Sequence, residues 1–284
     1  MTVVHKSVLD SLVNALTRLN TKRQLMKFSV VEGFLNSLYP IKHAEKWDNV
    51  GFLFGRRNSK IEKVLTCLTV SPDVVREATN KEIDLIVTHH PFPFKKTNRI
   101  TDDSFEGEMI LSLAAAGINV YSPHTAFDSS EGGINEMALE AYGVTDYSEL
   151  IPKRDLIGAG RVGKLEAEIS LQDLVSQTKS HFSVDQVKVV GELSKKVKKI
   201  AVACGSGGDF FSAVKAKGAD VLITGEATFH TCMAAKAYDI SLVLTGHYAS
   251  ERFAVEALAK LLSDKFSDLS VEPSVMDISP ITYA

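Results

Sequence analysis

At 284 residues the chain is long enough for one large α/β domain or two small ones. Its 45% hydrophobic and 24% charged residues belong to a globular protein and exclude a disordered or fibrous one. A formal charge of -3 lacks the basic excess of a general nucleic-acid binder, and no apolar run nears the roughly 20 residues of a membrane span.

The first 25 residues carry Lys6, Arg18, Lys22 and Arg23 against a single acid, Asp10, with Val8, Leu9, Leu12, Leu16 and Leu19 near helical spacing. This is the pattern of an organelle-targeting segment or of an extra surface helix. The favoured reading is the surface helix or a start codon placed too early, because Met26-Lys27-Phe28 also reads like a chain start. Next, Trp47-Asp48-Asn49-Val50-Gly51 is a turn signal before a short apolar strand, with Asn49 placed to line a cleft or to cap the turn. The three cysteines, Cys67, Cys204 and Cys232, are odd in number and widely spaced. They read as buried small hydrophobes in a reducing compartment, so a cytoplasmic location is expected. No Cys-x-x-Cys pair suggests structural zinc.

Lys63 to His90 and Lys199 to Glu226 align without a gap. Lys63/Lys199, Asp73/Asp209, Lys81/Lys217, Asp84/Asp220 and Thr88/Thr224 are identical, and apolar positions mostly match apolar ones. The similarity runs on to His124 with Asp128 and to His247 with Glu251, the second pair after a shorter loop. Each repeat reads as strand, helix, strand, helix, strand. The strands are expected at 64–70, 85–88 and 120–122, then at 200–204, 221–224 and 242–244. Runs apolar on both faces predict mainly parallel sheets covered by helices. The expected fold is α/β, with two related halves and a site between them at strand C-terminal ends. The division is a 1–25 extension, a first half over 26–140 and a second over 141–284, whose C-terminal segment is free to pack back on the first.

Thr88-His89-His90-Pro91 closes the apolar run 84–87, and two adjacent imidazoles leaving a buried strand are costly unless they do chemistry. His124 with Asp128, and His247 with Glu251, each pair a His with a carboxylate four residues on. Any one of these histidines alone reads best as a hydrogen-bonded cleft residue. Together, at matched strand ends, they point to a metal centre, since imidazole and carboxylate suit zinc, iron, manganese and related divalent ions. Adjacent His89 and His90 cannot point the same way on an extended strand, so they suit two different ions. A helix beginning near His247 puts Glu251 on the same face. Asp128 is expected in a loop ahead of Gly132-Gly133. Glu226 and His230 form a second tier, as ligand-orienting or proton-moving groups or as an ordinary polar loop. Gly205-Ser206-Gly207-Gly208 reads equally as a phosphate cradle or a plain tight turn.

WDNVG (47–51), DLIVTHHPFPF (84–94), SPHTAFD (122–128) with GGIN (132–135), GAGRVG (158–163), CGSGGD (204–209), TGEATFH (224–230) and GHYASE (246–251) resemble one known family. It comprises the dinuclear-metal proteins called GTP cyclohydrolase 1 type 2 homologs, or NGG-one-interacting-factor-three-like proteins, and the likeness spans 26–284. The resemblance implies two divalent ions per subunit, with His90 and Asp128 on one, His89 and His247 on the other, Glu251 bridging and His124 beside them. Some relatives have Tyr for the first His of the pair, whereas this chain keeps both. The resemblance also implies a toroidal homohexamer built as a trimer of dimers. Metal-dependent hydrolysis of a small molecule follows as the expected activity, either ring opening of GTP or phosphoester cleavage, with His124, Glu226 or His230 as the acid/base group. The alternative is a non-catalytic metal-handling protein or regulatory scaffold. Membrane partners are not expected, and the near-neutral charge argues against nucleic acid.

Overall fold

The computed structural model describes residues 26–95, 97–153 and 156–282; the basic segment 1–25 lies outside them. Two sheets form the frame. The first has five strands in the order Ser270–Pro273, Lys63–Cys67, Leu85–Thr88, Asn119–Ser122 and Gly51–Phe54. Its four neighbouring pairs are parallel except the last, where Gly51–Phe54 runs antiparallel at the edge. The second sheet has six strands in the order Tyr147–Lys153, Leu156–Ser170, Lys196–Ala203, Val221–Thr224, Ser241–Leu244 and Lys188–Val190. Its centre is parallel and its flanks antiparallel. A two-stranded pair, Met26–Lys27 with Lys60–Ile61, completes the strands.

The central strands are buried along their whole length, as their unbroken apolar runs require when helices cover both faces. The helices begin where short polar side chains can take up free N–H groups. Ser71 Oγ accepts from Val74 N ahead of helix Pro72–Asn80, which has Pro and Asp73 in its first turn. Ser104 does the same for Phe105–Ala116, which ends on left-handed Gly117. Among the described residues no helix is long and apolar enough to cross a membrane.

The duplicated residues do duplicated work. Asp84 Oδ2 accepts the N–H groups of Glu62 and Lys63 at 2.8 and 2.9 Å, and Asp220 Oδ2 those of Lys198 and Lys199, both at 2.8 Å. Lys63 Nζ donates to the carbonyl of Lys81, and Lys199 Nζ to that of Lys217. The two halves interlock. Helix Ile134–Glu140, at the expected boundary of 140, packs Ile134 in the core of the first half and Ala138 and Leu139 in that of the second. The long helix His247–Lys265 leaves the second sheet, and the chain then adds Ser270–Pro273 to the first.

Candidate metal centre

Strand Leu85–Thr88 ends with its backbone still tied to its neighbour: His89 N donates to Cys67 O at 2.9 Å and His90 N to Leu68 O at 2.8 Å. The His89 carbonyl accepts from Ser122 Oγ at 2.6 Å. Thus fixed, the two rings diverge, with centroids 5.2 Å apart and planes 48° from each other. His89 is buried and faces the first half's next helix, while His90 faces the second half.

Asp128 does not lie in a loop. It sits in helix His124–Ser129, so His124 and Asp128 share a face at helical spacing, as His247 and Glu251 do in His247–Lys265. The strand end and the two helices bring five predicted side chains to one place. His89 Nε2 lies 3.7 Å from Asp128 Oδ1 and 3.7 Å from Glu251 Oε1. The other oxygen of Glu251, Oε2, is 3.1 Å from both His90 Nε2 and His247 Nε2, and those two nitrogens are 3.3 Å apart. The separations around Glu251 Oε2 match donor atoms sharing a tetrahedral divalent ion, whose edges are about 3.3 Å for bonds of about 2.0 Å, and those around His89 are wider. The pairing differs from the one that resemblance implied: here His89 stands with Asp128, and His90 with His247. The cause is the divergence of the rings, which turns His89 inward against its own half. Glu251 lies between the two groups, one oxygen toward each.

Two of these donors are otherwise unexplained. His89 Nε2 and Asp128 Oδ1 are buried without a hydrogen-bond partner, an arrangement that costs free energy unless something else meets them. His89, His90 and His124, and separately His90, His247 and Glu251, present ligand atoms within 4.8 Å of one another, so these groups could hold a metal ion. Without metal, the four groups differ in how readily they hold a proton. Burial lowers the His89 pKa to about 4, which keeps the ring neutral and ready to donate a lone pair. Burial raises Asp128 to about 7. Burial also opposes ionisation of Glu251, but the surrounding imidazoles of His247, His89 and His90 hold it well below the usual carboxylate range. Its partner His247 is raised to about 9, chiefly by the hydrogen bond to Glu251.

Three of the four imidazoles have their second nitrogen held. His90 Nδ1 is 2.7 Å from Thr69 Oγ1, and His247 Nδ1 is 3.1 Å from Glu226 Oε2. His124 Nδ1 is 2.8 and 2.9 Å from the two oxygens of Asp48, whose carboxylate is buried and also accepts from Thr125 N at 3.1 Å. Such partners fix ring orientation at metal sites. His124 needs the support, because its backbone takes φ +30°, a strained value for a residue with a Cβ. Glu226 therefore touches the cluster through His247. His230 is exposed on helix Phe229–Ala237, with its ring near Phe229 and no hydrogen bond to the cluster among the described residues. Its expected acid/base role does not fit that position: the first turn of its helix points it to solvent.

Two of the glycine segment's four backbone donors are spent inside the fold. Gly205 N donates to Ser250 Oγ at 2.9 Å and Gly208 N to Glu226 O at 3.0 Å, so those donors are already used. Gly205, at φ +65°, lets the Glu251 carboxylate approach so closely that a Cβ would lie 2.2 Å from Oε1. Asn49 ties its turn to Pro93 O at 3.1 Å.

Sequence reasoning passed over several residues on which the centre depends. Asp48 stands one residue before Asn49 in the same quoted motif. Asn135, in the GGIN motif, donates to Asp128 O at 3.0 Å and accepts from Cys204 N at 2.8 Å, joining a ligand of one half to a strand end of the other. Arg161, in GAGRVG, is 2% exposed and donates to the carbonyls of Ser129, Ser130, Gly158 and Gly160 at 2.7–3.2 Å. It holds the end of the helix that carries Asp128. Each lies in a motif, but only folding pairs it with its target.

The cluster opens into a cavity of about 1080 Å³ whose walls include His90, His124, Asp128, His247 and Glu251.

The sequence model described as Duf34/NIF3 (NGG1p interacting factor 3) matches residues 26–281. A protein of Clostridium perfringens called "GTP cyclohydrolase 1 type 2 homolog" is 36% identical over 228 residues, covering 80% of this chain and 87% of its own length. A Schizosaccharomyces pombe protein called "Protein NIF3 homolog" is 33% identical over 274 residues, covering 89% and 97%. The crystal structure of a Staphylococcus aureus hypothetical protein superposes with a TM-score of 0.83 at 27% identity, covering 92% of this chain and 100% of that one.

Proposed function

Because the chain belongs to the Duf34/NIF3 family, we propose that it is a metal-dependent hydrolase with a dinuclear centre, acting on a nucleotide or a phosphoester. The observation that carries this reading is the split of Glu251: Oε1 toward His89 beside Asp128, and Oε2 toward His90 and His247. A carboxylate so divided has the form of a bridge between two cation sites. His89, Asp128 and Glu251 would hold one ion, and His90, His247 and Glu251 the other. Divalent ions there supply Lewis acidity toward a phosphoryl or carbonyl oxygen and acidify water.

The chain's own residues do the rest. Glu226 and Thr69 keep the His247 and His90 rings aimed inward. Asp48 holds His124 Nδ1, which leaves Nε2 to face the cavity. In phosphoester hydrolysis a water oxygen bonds to phosphorus, the P–O bond to the alcohol breaks, and one water proton ends on that alcohol oxygen. His124 Nε2 is placed to move that proton. The relatives' name makes ring opening of GTP the other hydrolysis to test. The expected homohexamer and a small-molecule substrate belong to the same proposal.

Metal analysis of the purified protein, coupled to a hydrolysis screen over nucleotides and phosphoesters, tests it. Two ions per chain and turnover lost in Glu251→Gln support the reading. Bound metal with no turnover under any divalent ion sinks it in favour of a metal-handling protein or scaffold.

A further inference from the structure

The mouth of the cavity differs from its floor. Trp47, Phe94 and Phe105 are 66%, 49% and 75% exposed and stand on its wall, which Phe210 also lines. The Trp47 and Phe94 rings lie 6.4 Å apart, and each lies 6.0 Å from His124. A wall of exposed rings leading to a polar floor is the form of a site that seats a flat apolar group. The charges on that wall carry a small acidic excess. Glu45, Glu106 and Asp209 line it, against Lys95 and Lys153. Lys153 is already held by Glu45 at 2.7 Å and by the His43 carbonyl at 3.0 Å.

This arrangement separates the two hydrolyses named above. Ring opening of GTP puts the base on the floor and runs three phosphates outward, along aromatic rings and a slight excess of carboxylates. Phosphoester cleavage puts the phosphate on the floor and leaves the rest of the molecule on the rings. We propose that the cavity takes a phosphoester of the nucleoside monophosphate class, its phosphate at the His/carboxylate floor and its heteroaromatic ring on the Trp47–Phe94 wall. The inference rests on the hydrolase reading for the role of the floor, and on the wall for the rest.

Trp47 is the chain's one tryptophan, so its fluorescence reports the wall directly. Zinc-loaded protein is mixed in stopped flow, ahead of turnover, with GMP, guanosine, GTP or inorganic phosphate. GMP is expected to quench Trp47. Inorganic phosphate is expected to displace GMP without quenching, and guanosine and GTP to bind at least about tenfold more weakly than GMP. Phe94→Ala is expected to raise the GMP Kd about tenfold, the scale of one base–aromatic stack, and to leave the calorimetric Kd of inorganic phosphate unchanged. Phe105→Ala provides a second variant, and zinc content and thermal unfolding check that both fold. The proposal is overturned if phosphate fails to displace GMP, if guanosine or GTP binds as tightly as GMP, or if both variants bind GMP normally. It is also overturned if Trp47 is shielded from acrylamide by a second copy of the chain and ignores GMP. The expected binding pattern without turnover leaves this inference standing and sinks the hydrolase. Turnover of a ringless phosphoester with no Trp47 response does the reverse.

Discussion

At the end of Leu85–Thr88 the first half turns out two imidazoles. At the matching end of Val221–Thr224 the second half has Gly225 and an exposed Glu226. The frames beneath are the same, down to Asp84 and Asp220 each accepting two backbone N–H groups. What differs is the helix packed against the strand end. His247–Lys265 starts so close to the second strand end that a Cβ on Gly225 would lie 2.6 Å from Gly205 O and 2.9 Å from the His247 Cα. One half thus uses its strand end to present donors. The other uses it to seat a helix that presents donors. Duplication supplied two equivalent places, and steric room decided which side chains each one carries.

This contrast can be broken most severely at Glu251, which both groups share. Glu251→Ala is expected to abolish metal loading at both, read by elemental analysis, with the fold retained by circular dichroism. Retention of one full ion would refute the shared role. Gly225→Ala comes next. Overpacking at that contact should cost about 1–3 kcal/mol, seen as a lower midpoint in denaturant, and should weaken metal binding through the displaced His247. The ring-holding carboxylates sharpen the comparison further. Asp48→Asn and Glu226→Gln each remove one, and losses of about 10–100-fold in metal affinity are the usual scale. Asp48→Asn should be the worse, since its carboxylate is buried and that of Glu226 is half exposed. Equal losses by competition with a chelating dye would contradict that ranking.

A pH series gives a smaller effect with a definite sign. The raised His247 pKa, about 9, stabilises the folded protein fully below its ordinary 6.5, and this is lost as pH rises through 9. Asp128, raised from 3.8 to about 7, also binds its proton more tightly when folded, so its contribution falls as pH rises toward and through 7. The lowered His89 acts only below 6.5. Metal-free protein should therefore lose thermal stability from pH 7 to 9, while metal affinity rises over the same range as those protons become easier to displace. Calorimetry in buffers of different ionisation enthalpy would count the released protons. The smallest difference is expected in the shared frame. Asp84→Asn and Asp220→Asn should cost similar amounts, about 1.5–3 kcal/mol each, and unequal costs would show that the halves have diverged there too.

The periodicities and the ungapped repeat made the parallel strands and the strand-end histidines readable from residues alone, because buried strands and helical i, i+4 pairs are local patterns. The extent of the helix around Asp128 was not readable. Only six residues long, it begins on a histidine with positive φ and takes its support from Asp48, which lies far back in the chain. The pairing of His89 with Asp128 was hidden as well, since alternation on a strand tells that two rings diverge but not which neighbour each one meets. Asn135 and Arg161 sat in visible motifs, yet their targets are carbonyls and N–H groups, which no sequence pattern distinguishes. For His230 the pattern left a functional group and an ordinary polar loop equally open, and the exposed first turn of its helix sets it apart from the cluster.

The strand Ser270–Pro273 lies beside Lys63–Cys67, the earliest parallel strand of the first sheet. During synthesis that strand therefore waits with a bare, hydrogen-bonding border while some two hundred further residues leave the ribosome. Ligand assembly is tied to the same delay, because Glu251 and His247 ride on the helix just ahead of that late strand. Completion of the His/carboxylate cluster is thus a finishing event, one that a nascent chain arrested before His247 cannot reach.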